Sequence, residues 1–447
     1  MKTAKGTIDY DPKLFGRLYK IINIIRKNVL LMGVEEIDTP TMELTKVLLN
    51  KYGDEAENKL IYKLEKIGTE DLSLRYDLTV PLQRYIESEQ IESIKRFQTG
   101  KVYRKDTPNQ SRCRLREFIQ ADYDIVGEYE LMIPEAEIMR LITISMKQIG
   151  IENYVIKINF RNNLEKIVSL AKIDMNLFKS VCTSIDKLDK HSWSYVTNEL
   201  KLKGLSDESI SILQTLLNNN YQDDSINSEL TKLMEYGEIF NYNKYIQFDS
   251  KLARGLDYYT GIIYEVLSTE KILENPSEDL EDTKDTKDIE NTKDEDEIMT
   301  NPTIIAGGRY DKLIKYKNKK YLPAIGVSFG INRIEMFMEK KDENINQGPM
   351  RIYVVSEFQY IKKKLEIVNY LWNNGYKVQY YDGQKKNIKQ INQAIKENYH
   401  YILIYGEDGP ENIKVKRNDH SKDEICKLND LISYLIINPF IQDPKSL

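Results

Sequence analysis

Arg116-Glu117-Phe118-Ile119-Gln120-Ala121-Asp122-Tyr123-Asp124-Ile125-Val126 alternates in character along its length. Successive side chains of an extended chain point to opposite faces. Ile119, Ala121, Tyr123 and Ile125 therefore share one face, and Phe118, Gln120, Asp122 and Asp124 the other. Upstream, residues 96–104 read as a second extended run, and the polar loop between the two carries Pro108, Asn109 and Ser111. Two such runs joined by a polar turn predict a long hairpin. One of its sides is apolar and suits a core; the other presents acids, an amide and an aromatic ring on a single surface.

Outward from the hairpin, residues 11–32 carry Leu14, Leu18, Ile21, Ile22, Ile25 and Val29 at helical spacing and end near Gly33, which predicts a helix. Residues 34–40 then read as a short strand stopped by Pro40. In residues 72–81, Asp77 and Thr79 stand two apart, hence on one strand face. Residues 163–233 are mainly helical in pattern, and strand-like segments return at 246–266. The stretch 269–302 uses Thr-Lys-Asp three times and has the low-complexity composition of a disordered surface insert. After a charged joint at 339–348, short apolar runs at 352–355, 377–381 and 401–405 alternate with amphipathic ones at 361–372 and 388–397. That is a βαβαβ pattern and predicts a separate α/β domain over 349–447. Residues 1–340 then form the larger domain, interrupted by a helical insertion at about 160–245 and the acidic insert at 269–302.

Composition narrows the function. The chain has 447 residues, 41% of them hydrophobic and 30% charged, so two or three domains of ordinary globular type are expected. No run approaches the roughly 18 apolar residues that span a bilayer, and residues 1–6 lack the apolar core of a signal peptide. A cytoplasmic location with no membrane partner is the expectation. Cys113, Cys182 and Cys426 lie far apart with no CxxC pair, which fits reduced thiols and offers no zinc site. Only His191, His400 and His420 occur, so the first 190 residues can hold neither a Ser-His-Asp triad nor a His-ligated metal. Chemistry there must use Arg, Asp, Glu, Gln, Thr and Tyr. The net charge of −5 is misleading, because about thirteen acids against four lysines sit in 269–302 and the remainder carries about +4. A nucleic-acid partner is compatible with that balance.

Five segments carry groups suited to chemistry. They are Leu-Ser-Leu-Arg-Tyr-Asp-Leu-Thr-Val-Pro at 72–81, the hairpin with Arg104, Asp106, Arg112, Arg114 and Arg116, Leu-Ala-Arg-Gly-Leu-Asp-Tyr-Tyr-Thr-Gly at 252–261, Ala-Gly-Gly-Arg-Tyr-Asp at 306–311, and Gly-Val-Ser-Phe-Gly-Ile-Asn-Arg-Ile at 326–334. Each has a plain reading taken alone. An Arg-rich turn is usually a solvated loop, a Gly-Gly pair usually a turn, and a tyrosine pair usually packing. Their occurrence together, in this order, gives them weight.

In that order the chain resembles the class II aminoacyl-tRNA synthetases of the histidyl type, particularly their eukaryotic branch. Ile37-Asp38-Thr39-Pro40 with Glu43 resembles motif 1, the dimer-forming element; residues 97–127 resemble motif 2, and 326–334 motif 3. The run 254–261 resembles the signature peculiar to histidyl enzymes, and Asp186-Lys187-Leu188-Asp189-Lys190 the helical insertion of eukaryotic members. Ile8 departs from the arginine usual in the Gly-Thr-Arg-Asp-Tyr opening, and the C-terminal domain looks worn after Gly409. The fold implied is α+β: an antiparallel sheet flanked by helices, with a helical insertion, and a C-terminal α/β domain resembling an anticodon-binding domain.

The activity implied is histidine–tRNA ligation: ATP activates histidine to an adenylate with loss of pyrophosphate, and histidine then passes to the 3′ end of tRNA(His). The resemblance assigns Asp77, Thr79 and Gln120 to the histidine ammonium, and Asp124, Tyr258 and Tyr259 to the imidazole pocket. Arg104 would bridge the histidine carboxylate and the α-phosphate, and Arg254 would stabilise charge on that phosphate. Phe118 would stack on adenine, Asp106 would receive its amino group, and Arg114 and Arg333 would grip the outer phosphates. Gln110, Ser111 and Arg112 would contact the tRNA acceptor stem, and Lys385, Lys386 and Lys389 would contact phosphates, which position RNA but do not specify it. Magnesium would travel with the ATP, with no metal held by the protein alone. A homodimer is implied, and no DNA partner. The alternatives are a non-catalytic, synthetase-like regulatory or RNA-binding relative, which would have lost site residues, and a threonyl or prolyl type, which would lack the double tyrosine. Arg104, Arg254, Arg333 and both tyrosines are present.

Overall fold

A computed structural model describes residues 2–49, 60–66, 68–109, 113–269, 303–317, 320–339, 350–381, 383–418 and 421–437. The acidic insert beyond Thr269, the loop residues Gln110, Ser111 and Arg112, and the joint from 340 to 349 lie outside the described residues. The chain divides into two units, Met1–Glu339 and Lys340–Leu447.

The first unit is built on an eight-stranded sheet. Its strands are β1 (Glu35–Glu36), β2 (Ile94–Tyr103), β3 (Glu117–Val126), β4 (Tyr154–Phe160), β5 (Ile246–Phe248), β6 (Ile262–Ser268), β7 (Thr303–Arg309) and β8 (Ala324–Gly330). Their order across the sheet is β1-β2-β3-β8-β7-β6-β4-β5. The outermost pairings, β1 with β2 and β4 with β5, are parallel, and the pairings between them are antiparallel. The predicted hairpin is β2 and β3, in register from Ile94 opposite Val126 to Tyr103 opposite Glu117.

Alternation on β3 decides what covers each face. Ala121, Tyr123 and Ile125 join the main core, together with Leu18, Ile21, Ile25 and Val29 of the helix Pro12–Leu30 and Ile138, Met139, Ile142 and Met146 of the helix Ile133–Ile149. Each such aliphatic side chain contributes roughly 1.5–3 kcal/mol on burial. Asp11 caps the first helix, its side chain accepting from the Leu14 N–H at 2.7 Å, with Pro12 in the first turn, where no N–H is needed. The opposite face of β3 is also buried, under groups that are polar.

Between β4 and β5 run the helices Arg161–Leu170, Phe178–Asp186, Trp193–Leu202, Asp207–Asn218 and Asn227–Phe240. Leu164, Ile167, Val181, Ile185, Leu200, Leu213 and Leu217 from the first four form a second core, shared with Leu252, Ala253 and Leu256. The loop holding Arg254 is thus packed directly on the helical segment.

Three local expectations need correcting. Asp77 and Thr79 do not share a strand face: the strand there is only Leu72–Leu74, and the helix Thr79–Glu89 begins at Thr79 itself. The Asp77 side chain accepts from the Val80 N–H at 3.1 Å, a short acid satisfying an orphan donor at a helix start, and Pro81 sits harmlessly in the first turn. Of residues 34–40 only Glu35 and Glu36 pair as strand. Gly307 and Gly308 are not a turn; they lie inside β7.

The second unit has strands β9 (Arg351–Ser356), β10 (Lys377–Tyr380), β11 (Tyr401–Tyr405), β12 (Asn412–Arg417) and β13 (Glu424–Lys427), ordered β10-β9-β11-β12-β13. The first three are parallel, with helices Ile361–Asn373 and Asn387–Lys396 as crossovers, which is the expected βαβαβ unit. The stretch after Gly409 is more regular than expected. In β12, Ile413 and Val415 point into the core while lysines alternate with them, and β13 pairs antiparallel beside it. Among the described residues no helix is long and apolar enough to cross a membrane.

Candidate active site

On the polar face of β3 the first unit opens into a cavity of about 500 Å³. Its lining includes Asp77, Thr79, Arg104, Asp106, Arg114, Phe118, Gln120, Asp124, Arg254, Tyr258, Tyr259 and Arg333. All the amino-acid and nucleotide residues expected from sequence therefore meet in one place. The expected acceptor-stem residues Gln110, Ser111 and Arg112 are outside the described residues.

The floor is made by strand register. On β8, Gly330, Ser328 and Gly326 stand opposite Gln120, Asp122 and Asp124 of β3. Small residues facing polar ones leave depth: a Cβ on Gly326 would overlap the Asp124 carboxylate. From β2, Arg96 stands across from Asp124 in register, fully buried, with Nη2 2.9 Å from Oδ2 and donating to the Leu78 carbonyl at 2.9 Å. The Tyr310 hydroxyl donates to the same carboxylate. Burial, reinforced by the charge of Asp124, holds the Tyr310 phenol well above its ordinary pKa, so it stays a donor. Asp124 is thus a fixed acceptor gripped from two sides.

Arginines line the same cavity. Arg254 Nη1 lies 2.6 Å from Glu265 of β6, its Nε donates to Asp186 at 3.1 Å, and Nη1 donates to Thr303 Oγ1 at 2.6 Å. Burial alone would weaken the guanidinium's hold on its proton, but Glu265 and Asp186 outweigh it and the pKa is raised. Burial pushes Glu265 up to about 7 even against the pull of Arg254. Arg333, the third residue of the helix Ile331–Glu339, donates to the Thr303 carbonyl at 2.8 Å. Its pKa is lowered, chiefly by burial and, against a small pull from Cys113, by repulsion from Arg104, Arg254 and Arg114. Arg104 donates from Nε to the Tyr76 carbonyl at 3.0 Å and lies over the Phe118 ring, 5.1 Å from its centroid. Arg114 pairs loosely with Asp106 at 3.4 Å. Several guanidiniums facing one space attract a polyanion.

The tyrosine loop is locked by its own backbone. Gly255 adopts φ +63°, and a Cβ there would strike the Tyr259 ring. Tyr258 and Tyr259 then lie with ring centroids 4.2 Å apart. Arg161 braces the loop, donating to the carbonyls of Leu256 at 2.6 Å and Tyr259 at 3.0 Å. Among the described residues no cluster of three His, Cys, Asp or Glu is placed to hold a metal.

Sequence reading gave no site role to Arg96, Asp122, Asp186, Glu265, Thr303, Tyr310 and Ser328, although Asp122 stood on the polar face and Tyr310 and Ser328 in segments suited to chemistry. Arg96 and Asp122 were recoverable, since both follow from the hairpin register and its alternation. Thr303 carried no signal of its own, and Asp186 stood only in the stretch 186–190 that resembles the helical insertion. Asp186 ends a helix 68 residues before Arg254, and Thr303 directly follows the acidic insert.

Residues 6–273 match the family model described as Histidyl-tRNA synthetase, and residues 350–437 the one described as Anticodon binding domain. The chain is 35% identical over 453 residues to the cytoplasmic histidine–tRNA ligase of Takifugu rubripes, covering 95% of this chain and 85% of that one. A cytoplasmic relative from Dictyostelium discoideum is also 35% identical, with coverage of 92% and 85%. A mitochondrial one from Saccharomyces cerevisiae is 32% identical, covering 100% and 87%. Among solved structures, histidyl-tRNA synthetase from Nostoc sp. PCC 7120 shares the fold with a TM-score of 0.76 at 23% identity, covering 98% and 99% of the two chains.

Proposed function

This chain belongs to the histidyl-tRNA synthetase family, and from that premise we propose which of its residues perform each part of the reaction. The activity is histidine–tRNA ligation: histidine is activated with ATP to histidyl-adenylate, pyrophosphate is released, and histidine passes to tRNA(His). The observation that carries the assignment of residues is the meeting of Arg104, Arg254 and Arg333 with Asp124 and Tyr259 around one cavity.

In the first step a histidine carboxylate oxygen attacks the α-phosphorus and the bond to the bridging oxygen of pyrophosphate breaks. No proton moves, so positioning and fixed positive charge carry the rate. Arg104, held by the Tyr76 carbonyl and lying over Phe118, bridges the attacking carboxylate and the α-phosphate. Arg254, clamped by Glu265 and Asp186, holds its charge on the α-phosphate as that charge grows. Phe118 takes adenine, Asp106 its amino group, and Arg114 and Arg333 the outer phosphates. Asp77, Thr79 and Gln120 take the ammonium. Asp124, oriented by Arg96 and Tyr310, accepts from the imidazole with Tyr258 and Tyr259 beside it. A pocket of buried acceptors rejects apolar side chains, because those acceptors would lose their partners.

Magnesium would travel with the ATP. The carboxylates beside Arg254, Glu265 and Asp186, are already engaged by it, so at this place the chain would offer the α-phosphate a guanidinium.

Residues 1–340 are the catalytic part and 349–447 the anticodon-binding part, where Lys385, Lys386 and Lys389 meet RNA phosphates. Gln110, Ser111 and Arg112 meet the acceptor stem. Two copies pair through the motif 1 helix and strand; on the preceding helix, Pro12–Leu30, Phe15 and Tyr19 stand stacked and more than half exposed. The location is cytoplasmic, in keeping with three free cysteines.

The test is histidine-dependent exchange of labelled pyrophosphate into ATP. Exchange with histidine in preference to the other amino acids, lost in Arg254→Ala, is expected. Exchange driven better by another amino acid, or by none, overturns the reading.

A further inference from the structure

Asp122 lies on β3 between Gln120 and Asp124, on the same face, and is 3% exposed. It lines the cavity, yet the reaction as read above gives it no part. Across the strand pairing it faces Ser328, which hydrogen-bonds to it and also receives the Gln120 Nε2 donor at 2.5 Å. Ser328 therefore ties both side chains to β8. Once that tie is made, one oxygen of each has no donor: Gln120 Oε1 and Asp122 Oδ1 are buried and unpaired. Leaving one carboxylate oxygen so, let alone two acceptors side by side, is expensive unless a ligand supplies the donors.

The surroundings say what kind of donor. Nη2 of Arg96, the nearby fixed cation, is given to Asp124 and the Leu78 carbonyl. Burial pushes the Asp122 carboxyl up to about 7 despite Arg96, with repulsion from Asp124 and, less, from Asp77 adding to it. The corner thus sets three carboxylates, Asp77, Asp122 and Asp124, against the one buried guanidinium of Arg96. A planar imidazole offers one or two donors in a plane and already has Asp124 at the other end of the floor. A primary ammonium is compact and offers three diverging donors.

We propose that Asp122 binds the α-ammonium of the amino-acid substrate through Oδ1, next to Gln120 Oε1, and that Ser328 positions both. Asp122 is then a specificity-determining residue for the charged amino group, and this inference rests on the reading of the cavity as the histidine site. It adds a second carboxylate to the ammonium subsite beyond Asp77, and explains why β8 carries a serine, and not another glycine, between Gly326 and Gly330.

Calorimetric titration of three ligands tests it: L-histidine, histidinol (ammonium without carboxylate) and imidazolepropionic acid (carboxylate and ring without ammonium). In Asp122→Asn the dissociation constants of histidine and histidinol are expected to rise by about tenfold or more, as for loss of a hydrogen bond to a charged group. That of imidazolepropionic acid stays within about twofold on the same grounds. Equal weakening of all three overturns the proposal in favour of a structural role, and no change in any overturns it outright. If Asp122→Asn does not fold, Ser328→Ala serves, since it frees both side chains without removing charge. It is expected to weaken histidine and histidinol by roughly threefold and to spare imidazolepropionic acid; weakening without that selectivity overturns the proposal. Wild-type protein that binds none of the three ligands sinks the histidine-site reading itself, a result distinct from all the others.

Discussion

The guanidinium of Arg254 lies 2.6 Å from the carboxylate of Glu265, a side chain 1% exposed on the adjoining strand β6. Asp186 at 3.1 Å grips the same guanidinium from the helical segment. An arginine held on two sides cannot follow the solvent, and a charge that does not reorganise is worth most to a transition state. The grip also has a cost, because Glu265 is buried beside other acids and burial drives its carboxyl up to about 7.

Glu265→Gln keeps the shape and removes the charge. Pyrophosphate exchange should fall by about one to two orders of magnitude in rate, with histidine affinity within about twofold. Arg254→Ala should cost roughly two orders or more. An unchanged exchange rate in Glu265→Gln would remove it as the positioning partner of Arg254.

Tyr310→Phe deletes one of the two groups that orient Asp124 while leaving Arg96 in place. The KM for histidine should rise by about tenfold and that for ATP should not move, because the hydroxyl serves only the amino-acid end. Equal effects on both substrates would mean that the phenol supports the whole cavity.

Gly326→Ala forces a Cβ onto the Asp124 carboxylate. Histidine activation should drop by about a hundredfold or more, since a misplacement near 1 Å is enough for that. Gly16, in the helix Pro12–Leu30, has open space around it; Gly16→Ala should leave activation intact and stabilise by about 0.5–1 kcal/mol. Full activity in Gly326→Ala would show that Asp124 need not sit where it does.

Glu199 ties two helices together: it takes Lys187 at 2.7 Å, Lys203 at 2.8 Å and the Ser184 hydroxyl at 3.0 Å. Burial alone would raise its pKa, but those partners outweigh it and hold the carboxyl at about 2. A carboxyl that binds its proton less readily folded than unfolded contributes stability above its unfolded pKa. That contribution is lost as pH falls from the ordinary glutamate range toward about 2. The melting temperature should therefore decline over that window, and Glu199→Gln should show a shallower decline and a lower melting temperature at pH 7. Parallel pH curves for the two proteins would refute it.

Much of this was readable before any fold was known. Period-two alternation in 116–126 separates Tyr123 and Ile125 from Asp122 and Asp124, and backbone geometry leaves an extended chain no other way to place them. Helical spacing in residues 11–32 did the same for the helix that covers the apolar face. Where two local signals competed, reading failed: Asp77 and Thr79 fit a strand by spacing, yet Asp77 caps a helix that Pro81 can enter. The regular β12 and β13 were hidden because their alternation uses lysines in a short, polar stretch.

By itself, then, the sequence determined which residues face a core, which face a polar space, and the kind of chemistry the polar set can do without histidine. Only the tertiary structure decided who meets whom. Ser328 ties Asp122 and Gln120 because β8 pairs with β3 in one register, and Thr303 links Arg254 to Arg333 because β7 begins there. Asp186 reaches Arg254 because one core is shared between helices and loop. Periodicity is a property of neighbours along the chain, whereas register and packing are chosen by contacts between segments far apart in it, and no local pattern encodes those.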